Sequence, residues 1–194
     1  MPVSIAVFAS GTGSNARRIM QHFQHSDAVQ VRLVVSNKAD AGVLEIARDM
    51  GVETLVINRT EFYHSETIVE ELRRRDIRFI ALAGFLWLIP EYLVQAFPRA
   101  IVNIHPALLP KFGGKGMYGA HVHEAVKQAG ETESGITIHY VDEHYDEGQP
   151  VFQARCPVLP TDTATDIARR VLELEHRHFP FVIEQLLLNL PVVG

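Results

Sequence analysis

Residues 3–23 read VSIAVFASGTGSNARRIMQHF, an apolar run over 3–9, a glycine turn, and then apolar positions at helical spacing from residue 14 to about 23. A buried strand that turns through glycines into a helix is how a parallel sheet with crossover helices begins in sequence. The same rhythm continues with a second strand over 29–35, a second helix over 41–50 and a third strand over 52–57. A charged helical stretch follows over 61–75, with the block RRRD (73–76) as its solvated end. Residues 77–83 (IRFIALA) are apolar on both faces, which marks a central strand. Pro90 opens a short helix over 90–97, and 100–104 (AIVNI) is another strand.

After His105 the pattern changes. Pro106, Pro110 and the glycines of KFGGKGMYG (111–119) make a loop longer than a connector needs, and therefore a candidate functional lid. A helix over 118–129 precedes two strands, 135–141 (GITIHYV) and 150–158 (PVFQARCPV), whose acidic turn permits a hairpin. A long amphipathic helix over 164–188 closes the chain, with a kink expected at Pro180. The fold class expected is α/β: a Rossmann-like, mainly parallel sheet with helices on both faces, extended by later, partly antiparallel strands and a long C-terminal helix. One domain is expected over 1–194.

Composition narrows the function. The 194 residues are 47% hydrophobic, enough for one sizeable core. Eighteen Lys plus Arg against 23 Asp plus Glu leave a net charge of −5 without long single-sign blocks, which argues against a nucleic-acid partner but not against an anionic small molecule. Cys156 is the only cysteine and MPVSIAVFAS lacks the basic n-region of a signal peptide, so a cytoplasmic location is expected. The longest apolar stretch, 79–89, is too short for a membrane span and is broken by glycine, so no membrane partner is expected.

Three segments could carry chemistry. SGTGSNA (10–16) sits where a strand turns into a helix, where exposed N–H groups favour a phosphate. Its G-x-G-x-x-A spacing lacks the acidic partner of a dinucleotide site, since Ser36, Asn37 and Lys38 stand where that residue belongs. The alternative is a tight turn with Ser14 as helix N-cap. NIHPALLP (103–110) lies at the carboxyl end of a strand, where open α/β sheets bind ligands. Asn103 and His105, two apart, project from one face and suit oxyanion stabilisation and proton transfer; otherwise His105 is a strut ahead of Pro106. In HYDEGQP (144–150), Asp146 is placed either to orient His105 and raise its pKa or to make a turn before Gly148. The histidines at 121, 123, 139, 176 and 178 show no HExxH or CxxC spacing, so no metal is expected.

Taken together, SGTGSN (10–15), LAGFLWLIP (82–90), NIHPALLPKF (103–112), GITIHYVDEHYDEG (135–148) and LEHRHFP (174–180) resemble the phosphoribosylglycinamide formyltransferases, over essentially the whole chain. The most specific element is N-I-H-P with a D-x-G turn about 40 residues later, shared by the wider formyltransferase superfamily. The resemblance implies transfer of a formyl group from 10-formyltetrahydrofolate to the amine of glycinamide ribonucleotide in purine synthesis, without a metal. It implies Asn103, His105 and Asp146 as the catalytic trio, with Asn103 and a protonated His105 donating to the oxyanion. Gly13, Ser14 and Asn15 would bind the ribonucleotide phosphate and Glu175 the glycinamide substrate. Leu86, Trp87, Leu88, Ile89, Asn103, His144, Tyr145 and Asp146 would line the folate pocket. Three positions depart from familiar members: residues 61–65 lack an arginine near the folate tail, Trp87 stands where a basic residue is frequent, and Leu172 replaces a polar substrate contact.

A formyltetrahydrofolate deformylase shares such a site but carries an amino-terminal regulatory domain, whereas this chain starts at strand one. A methionyl-tRNA formyltransferase adds a basic carboxy-terminal domain, not expected here since the chain stops at Gly194. A non-catalytic nucleotide-binding module built on GTGSN is the remaining alternative. The expected assembly is a monomer or homodimer.

Overall fold

The computed structural model describes residues 1–188; residues 189–194, the end of the expected domain, lie outside the described residues. The elements run β1 (Val3–Phe8), α1 (Ser14–Phe23), β2 (Val29–Ser36), α2 (Gly42–Asp49), β3 (Glu53–Val56), α3 (Arg59–His64), α4 (Thr67–Arg74) and β4 (Ile77–Leu82). They continue with α5 (Glu91–Ala96), β5 (Ile101–His105), α6 (Ala120–Gln128), β6 (Glu133–Tyr140), β7 (Pro150–Pro157) and α7 (Ala164–Leu188).

The strands form one seven-stranded sheet in the order β3-β2-β1-β4-β5-β6-β7. Pairings from β3 through β5 are parallel, and β6 and then β7 extend the sheet by antiparallel pairing. Right-handed crossovers place α1 and α2 on one face and the helices leading to β4 and β5 on the other. The centre is dry: Ile5, Ala6, Val7 and Phe8 of β1 and Phe79, Ile80 and Ala81 of β4 are fully buried, as a parallel strand covered on both faces requires.

Strand order reverses between β1 and β4, which opens a crevice at their carboxyl ends. There the chain leaving β1 is tied to the chain leaving β4: the Ser10 N–H donates to the Gly84 carbonyl at 3.0 Å, and the Leu86 N–H donates to Ser10 Oγ at 3.0 Å. Gly13 begins α1 in a left-handed conformation, φ 82°, with no side-chain cap. Ser14 is thus the first helical residue, not the N-cap of the alternative reading of this turn. A Cβ at Gly13 would sit 2.7 Å from the Val43 Cα of α2, so glycine here lets two helices meet at the turn.

Two further expectations need correction. The helix expected over 61–75 is two helices, because Phe62 and the trio Ile68, Val69 and Leu72 are all buried. A single straight helix burying all four would also carry Ser65 and Glu66 toward the core. Ser65 instead adopts extended backbone, and its hydroxyl donates to the Glu61 carbonyl at 2.9 Å, closing α3. The helix expected from 118 begins at Ala120, because Gly119, with φ 57° and ψ −135°, holds a conformation outside the helical region. By contrast α7 runs unbroken through Pro180. Its start is a reciprocal cap, with the Thr163 N–H donating to Asp166 Oδ2 at 3.0 Å and the Asp166 N–H to Thr163 Oγ1 at 3.2 Å. No described helix is long and apolar enough to cross a membrane.

Candidate active site

Asn103 and His105 leave the same face of β5, and antiparallel pairing sets His139 of β6 opposite Asn103 and Thr137 opposite His105. Thr137 anchors the loop that follows β5: its hydroxyl donates to the Ala107 carbonyl at 2.7 Å and accepts from the Leu109 N–H at 3.0 Å. The loop between β6 and β7 then folds back over β5. Gly148 makes this return possible, because a Cβ there would fall on the Tyr140 carbonyl. Asp146, two residues earlier, takes φ 58°, a left-handed conformation that aspartate tolerates better than most residues.

The Asp146 carboxylate is consequently surrounded, with His139 Nε2 3.5 Å from its Oδ1. Asn103 Nδ2 donates to its Oδ1 at 3.3 Å, the Gly114 N–H donates to its Oδ2 at 3.0 Å, and His105 Nδ1 lies 3.4 Å from Oδ2. His139 donates through Nδ1 to the Tyr140 carbonyl at 2.8 Å, which leaves its Nε2, 3.1 Å away, to accept the other Asn103 amide hydrogen. His105 donates through Nε2 to the Phe112 carbonyl at 2.7 Å. Both His105 and His139 are buried, at 3% and 2% exposure.

Burial works to raise the Asp146 carboxyl, but His139, His105 and the Gly114 N–H outweigh it and hold the group below the usual carboxylate range. For His105 the balance goes the other way. Burial lowers its pKa below the ordinary 6.5 despite the opposing pull of Asp146 and the Phe112 carbonyl. The rise expected from Asp146 is therefore outweighed by desolvation.

These groups line a cavity of about 850 Å³. Leu86, Trp87, Leu88 and Ile89, running on from β4, make one apolar wall; Asn103, His105, His144, Tyr145 and Asp146 lie along it. Asn15 of α1 and Glu175 of α7 also line the cavity, joined by a 2.6 Å hydrogen bond from Asn15 Nδ2 to Glu175 Oε2. Burial pushes the Glu175 carboxyl up to about 7 even against that bond. Asn15 Oδ1 is sealed without a partner. Gly13 and Ser14 are not on the lining, where Ser10 and Gly11 stand instead. The lid candidate contributes Lys115 and Met117, and Leu172 lies beside Glu175.

Several lining groups were not singled out as site residues from sequence: His139, His123 and Lys38. The only signal for His139 was its place on the strand pairing with β5, and for Lys38 its position at the end of β2. Outside the lining, Arg59 at the start of α3 stacks its guanidinium over Tyr63 and over Trp87, at 5.5 and 5.8 Å from the ring centroids. Among the described residues no cluster of His, Cys, Asp and Glu could hold a metal ion.

A family model described as formyl transferase matches residues 3–183. The chain is 46% identical over 187 residues to "Phosphoribosylglycinamide formyltransferase, chloroplastic" of Arabidopsis thaliana, covering 92% of this chain and 63% of that protein. It thus spans less than two thirds of the plant relatives' length, the share in Vigna unguiculata being 60%. Against phosphoribosylglycinamide formyltransferase of Bacillus subtilis it is 37% identical, covering 94% of this chain and 93% of that one. Glycinamide ribonucleotide transformylase 1 from Symbiobacterium toebii, a solved structure, superposes with a TM-score of 0.88 at 34% identity, covering 100% of this chain and 91% of that one. The chain belongs to the formyl transferase family, and it is similar throughout to proteins named phosphoribosylglycinamide formyltransferase.

Proposed function

We propose that this protein moves a formyl group from 10-formyltetrahydrofolate to the primary amine of glycinamide ribonucleotide. The observation that carries the reading is the Asp146 carboxylate bracketed by Asn103 and His105 in a cavity lined both by the apolar run Leu86 to Ile89 and by the polar pair Asn15 and Glu175. Its volume, about 850 Å³, lies within the range of sites that enclose small molecules. The apolar wall from Leu86 to Ile89 suits the flat pterin, with His144 and Tyr145 along it. Asn15 and Glu175 offer polar groups to the ribonucleotide, Ser10 and Gly11 bring the turn before α1 to the cavity for its phosphate, and Lys38 supplies a local cation. Arg59, held over Trp87, is the cation available to the carboxylates of the folate tail.

The reaction forms one C–N bond at the formyl carbon and breaks the one to the folate nitrogen. The attacking amine loses a proton and the leaving nitrogen gains one, so no net proton is needed. Burial favours the neutral His105 ring while Asp146 favours the charged one, and its Nδ1 faces Asp146 at 3.4 Å. A proton taken there turns a lone pair facing a carboxylate into an attraction, and the ring can then return the proton to the leaving nitrogen. Asn103 aligns the carboxylate while His139 aligns Asn103. Once protonated, His105 joins Asn103 as the donor to the oxyanion, and Asp146 stabilises the charged ring. The cytoplasmic setting and a monomer or homodimer remain part of the proposal.

Consumption of the folate donor, followed by absorbance with and without glycinamide ribonucleotide and alongside His105→Ala, tests the reading. Turnover that needs the ribonucleotide and disappears in the variant is expected. Equal consumption without the ribonucleotide would move the activity to hydrolysis.

A further inference from the structure

The apolar wall from Leu86 to Ile89 carries no charge, and the two lysines on the cavity lining stand elsewhere. Lys38 lies in the loop into α2, whose Val43 N–H donates to the Gly11 carbonyl at 3.2 Å, and Lys115 belongs to the 111–119 loop. The cation beside the wall is Arg59, and what holds it is aromatic.

Arg59 is the first residue of α3, and Tyr63 follows one turn later on the same face. Asn58 fixes the start of the helix, its Oδ1 accepting from the Glu61 N–H at 2.9 Å. The Tyr63 hydroxyl donates to the Leu88 carbonyl at 3.1 Å, which ties α3 to the wall. Trp87 packs from the wall onto α3, its ring centroid 5.6 Å from that of buried Phe62 and 6.1 Å from that of Tyr63. The Arg59 guanidinium lies over both rings, 5.5 Å from Tyr63 and 5.8 Å from Trp87, and makes no hydrogen bond or ion pair with any described residue. It is therefore held without being neutralised, and its N–H donors are open to an anion. The seat is also near the reacting groups. Burial, and then the nearby Tyr145, raise the Tyr63 pKa, so the residue next to Asp146 comes within electrostatic reach of α3.

We propose that Trp87 is a positioning residue that sets donor specificity: with Tyr63 it holds the Arg59 guanidinium beside the wall, where it selects formyl donors that end in a carboxylate tail over donors that end uncharged. This role rests on the formyl-transfer reading. A donor with its formyl group at Asp146 and its pterin on Leu86 to Ile89 still has tail carboxylates to place, and an arginine already stacked on two rings offers them a cation at lower ordering cost than a free side chain does. It also accounts for a tryptophan at 87, where a leucine like Leu86 or Leu88 would complete an apolar wall.

The test measures kcat/KM of the full chain for two donors, 10-formyltetrahydrofolate and the same compound ending in an uncharged benzamide in place of the glutamate, with thermal unfolding as the check on folding. An effect that a variant has on both donors alike, as from a damaged wall, cancels in their ratio. Arg59→Met lowers the ratio about fivefold. Trp87→Leu lowers it about threefold, while Trp87→Phe, which keeps a ring under the guanidinium, stays within about 1.5-fold of wild type. Trp87→Met replaces the leucine variant should that one unfold. With Arg59→Met and Trp87→Leu combined, the ratio falls only about fivefold, since the ring acts through the arginine. The proposal is overturned if removing the ring at 87 leaves the ratio within about 1.5-fold of wild type, or if the combined variant falls about fifteenfold, as independent effects would multiply. A wild-type chain that transfers no formyl group from either donor would instead refute the formyl-transfer reading itself.

Discussion

Glu175→Gln is expected to stabilise the protein above neutrality far more than below it. Burial raises the Glu175 carboxyl from its ordinary 4.5 to about 7, against the hydrogen bond from Asn15. The folded state therefore keeps a proton that the unfolded chain releases near 4.5. Stability is full below that value, falls as pH rises through about 7, and levels off beyond. At about 1.4 kcal/mol per pH unit between the two values, ionising the buried group costs about 3 kcal/mol. Glutamine is neutral throughout, nearly isosteric, and its amide oxygen can still accept from Asn15 Nδ2. Denaturant unfolding of both chains near pH 5 and near pH 8 should therefore show the variant gaining about 2 to 3 kcal/mol on the wild type between the two conditions. In a chain of this size that corresponds to about 5 to 10 °C in Tm. The buried histidines are common to both chains and cancel in the difference. A gap between the chains that is the same at both pH values within about 0.5 kcal/mol would refute the reasoning, since Glu175 would then titrate as an exposed carboxyl does.

Other perturbations follow from the same geometry. Asp146→Asn removes the carboxylate that opposes burial at His105, so kcat should fall by about 10²-fold or more and the acid limb of the pH profile should move to lower pH; turnover near that of wild type from mildly acidic to mildly alkaline pH would count against the pairing. Arg59→Met should raise KM about fivefold for a folate donor with a glutamate tail, as expected for an exposed ion pair, while a donor lacking the tail is unaffected; equal effects on both would remove Arg59 from tail recognition. Gly13→Ala forces a Cβ to 2.7 Å from the Val43 Cα at φ 82°, so unfolding experiments should show a loss of at least about 2 kcal/mol, and an unchanged midpoint would contradict the packing at that turn.

What could be read from sequence was local. The limits of α1 and α7 followed from helical spacing, with a glycine turn before the first; the Thr163 and Asp166 cap at the start of the other emerged only in the structure. The break at Ser65 was hidden because the charged stretch keeps a helical look, and only the need to bury Phe62 and Leu72 together divides it. In the site, Asn103 and His105 were legible because two residues at the end of one strand must share a face. His139 was not, since its place beside Asn103 depends on the register of an antiparallel pair 36 residues apart. Nor was the direction of the His105 pKa, because sequence names the carboxylate near the ring but not the depth at which both are buried. His123 looked like the start of a helix, and its burial depends on where α6 packs, including against α7.

The most direct measurement follows the carbon itself. The protein is mixed with glycinamide ribonucleotide and 10-formyltetrahydrofolate labelled with ¹³C in the formyl group, and the products are resolved by mass spectrometry. The account predicts that the label appears on the ribonucleotide, as its formyl amide, in step with loss of the donor. Label recovered as free formate, with the ribonucleotide unchanged, would contradict it.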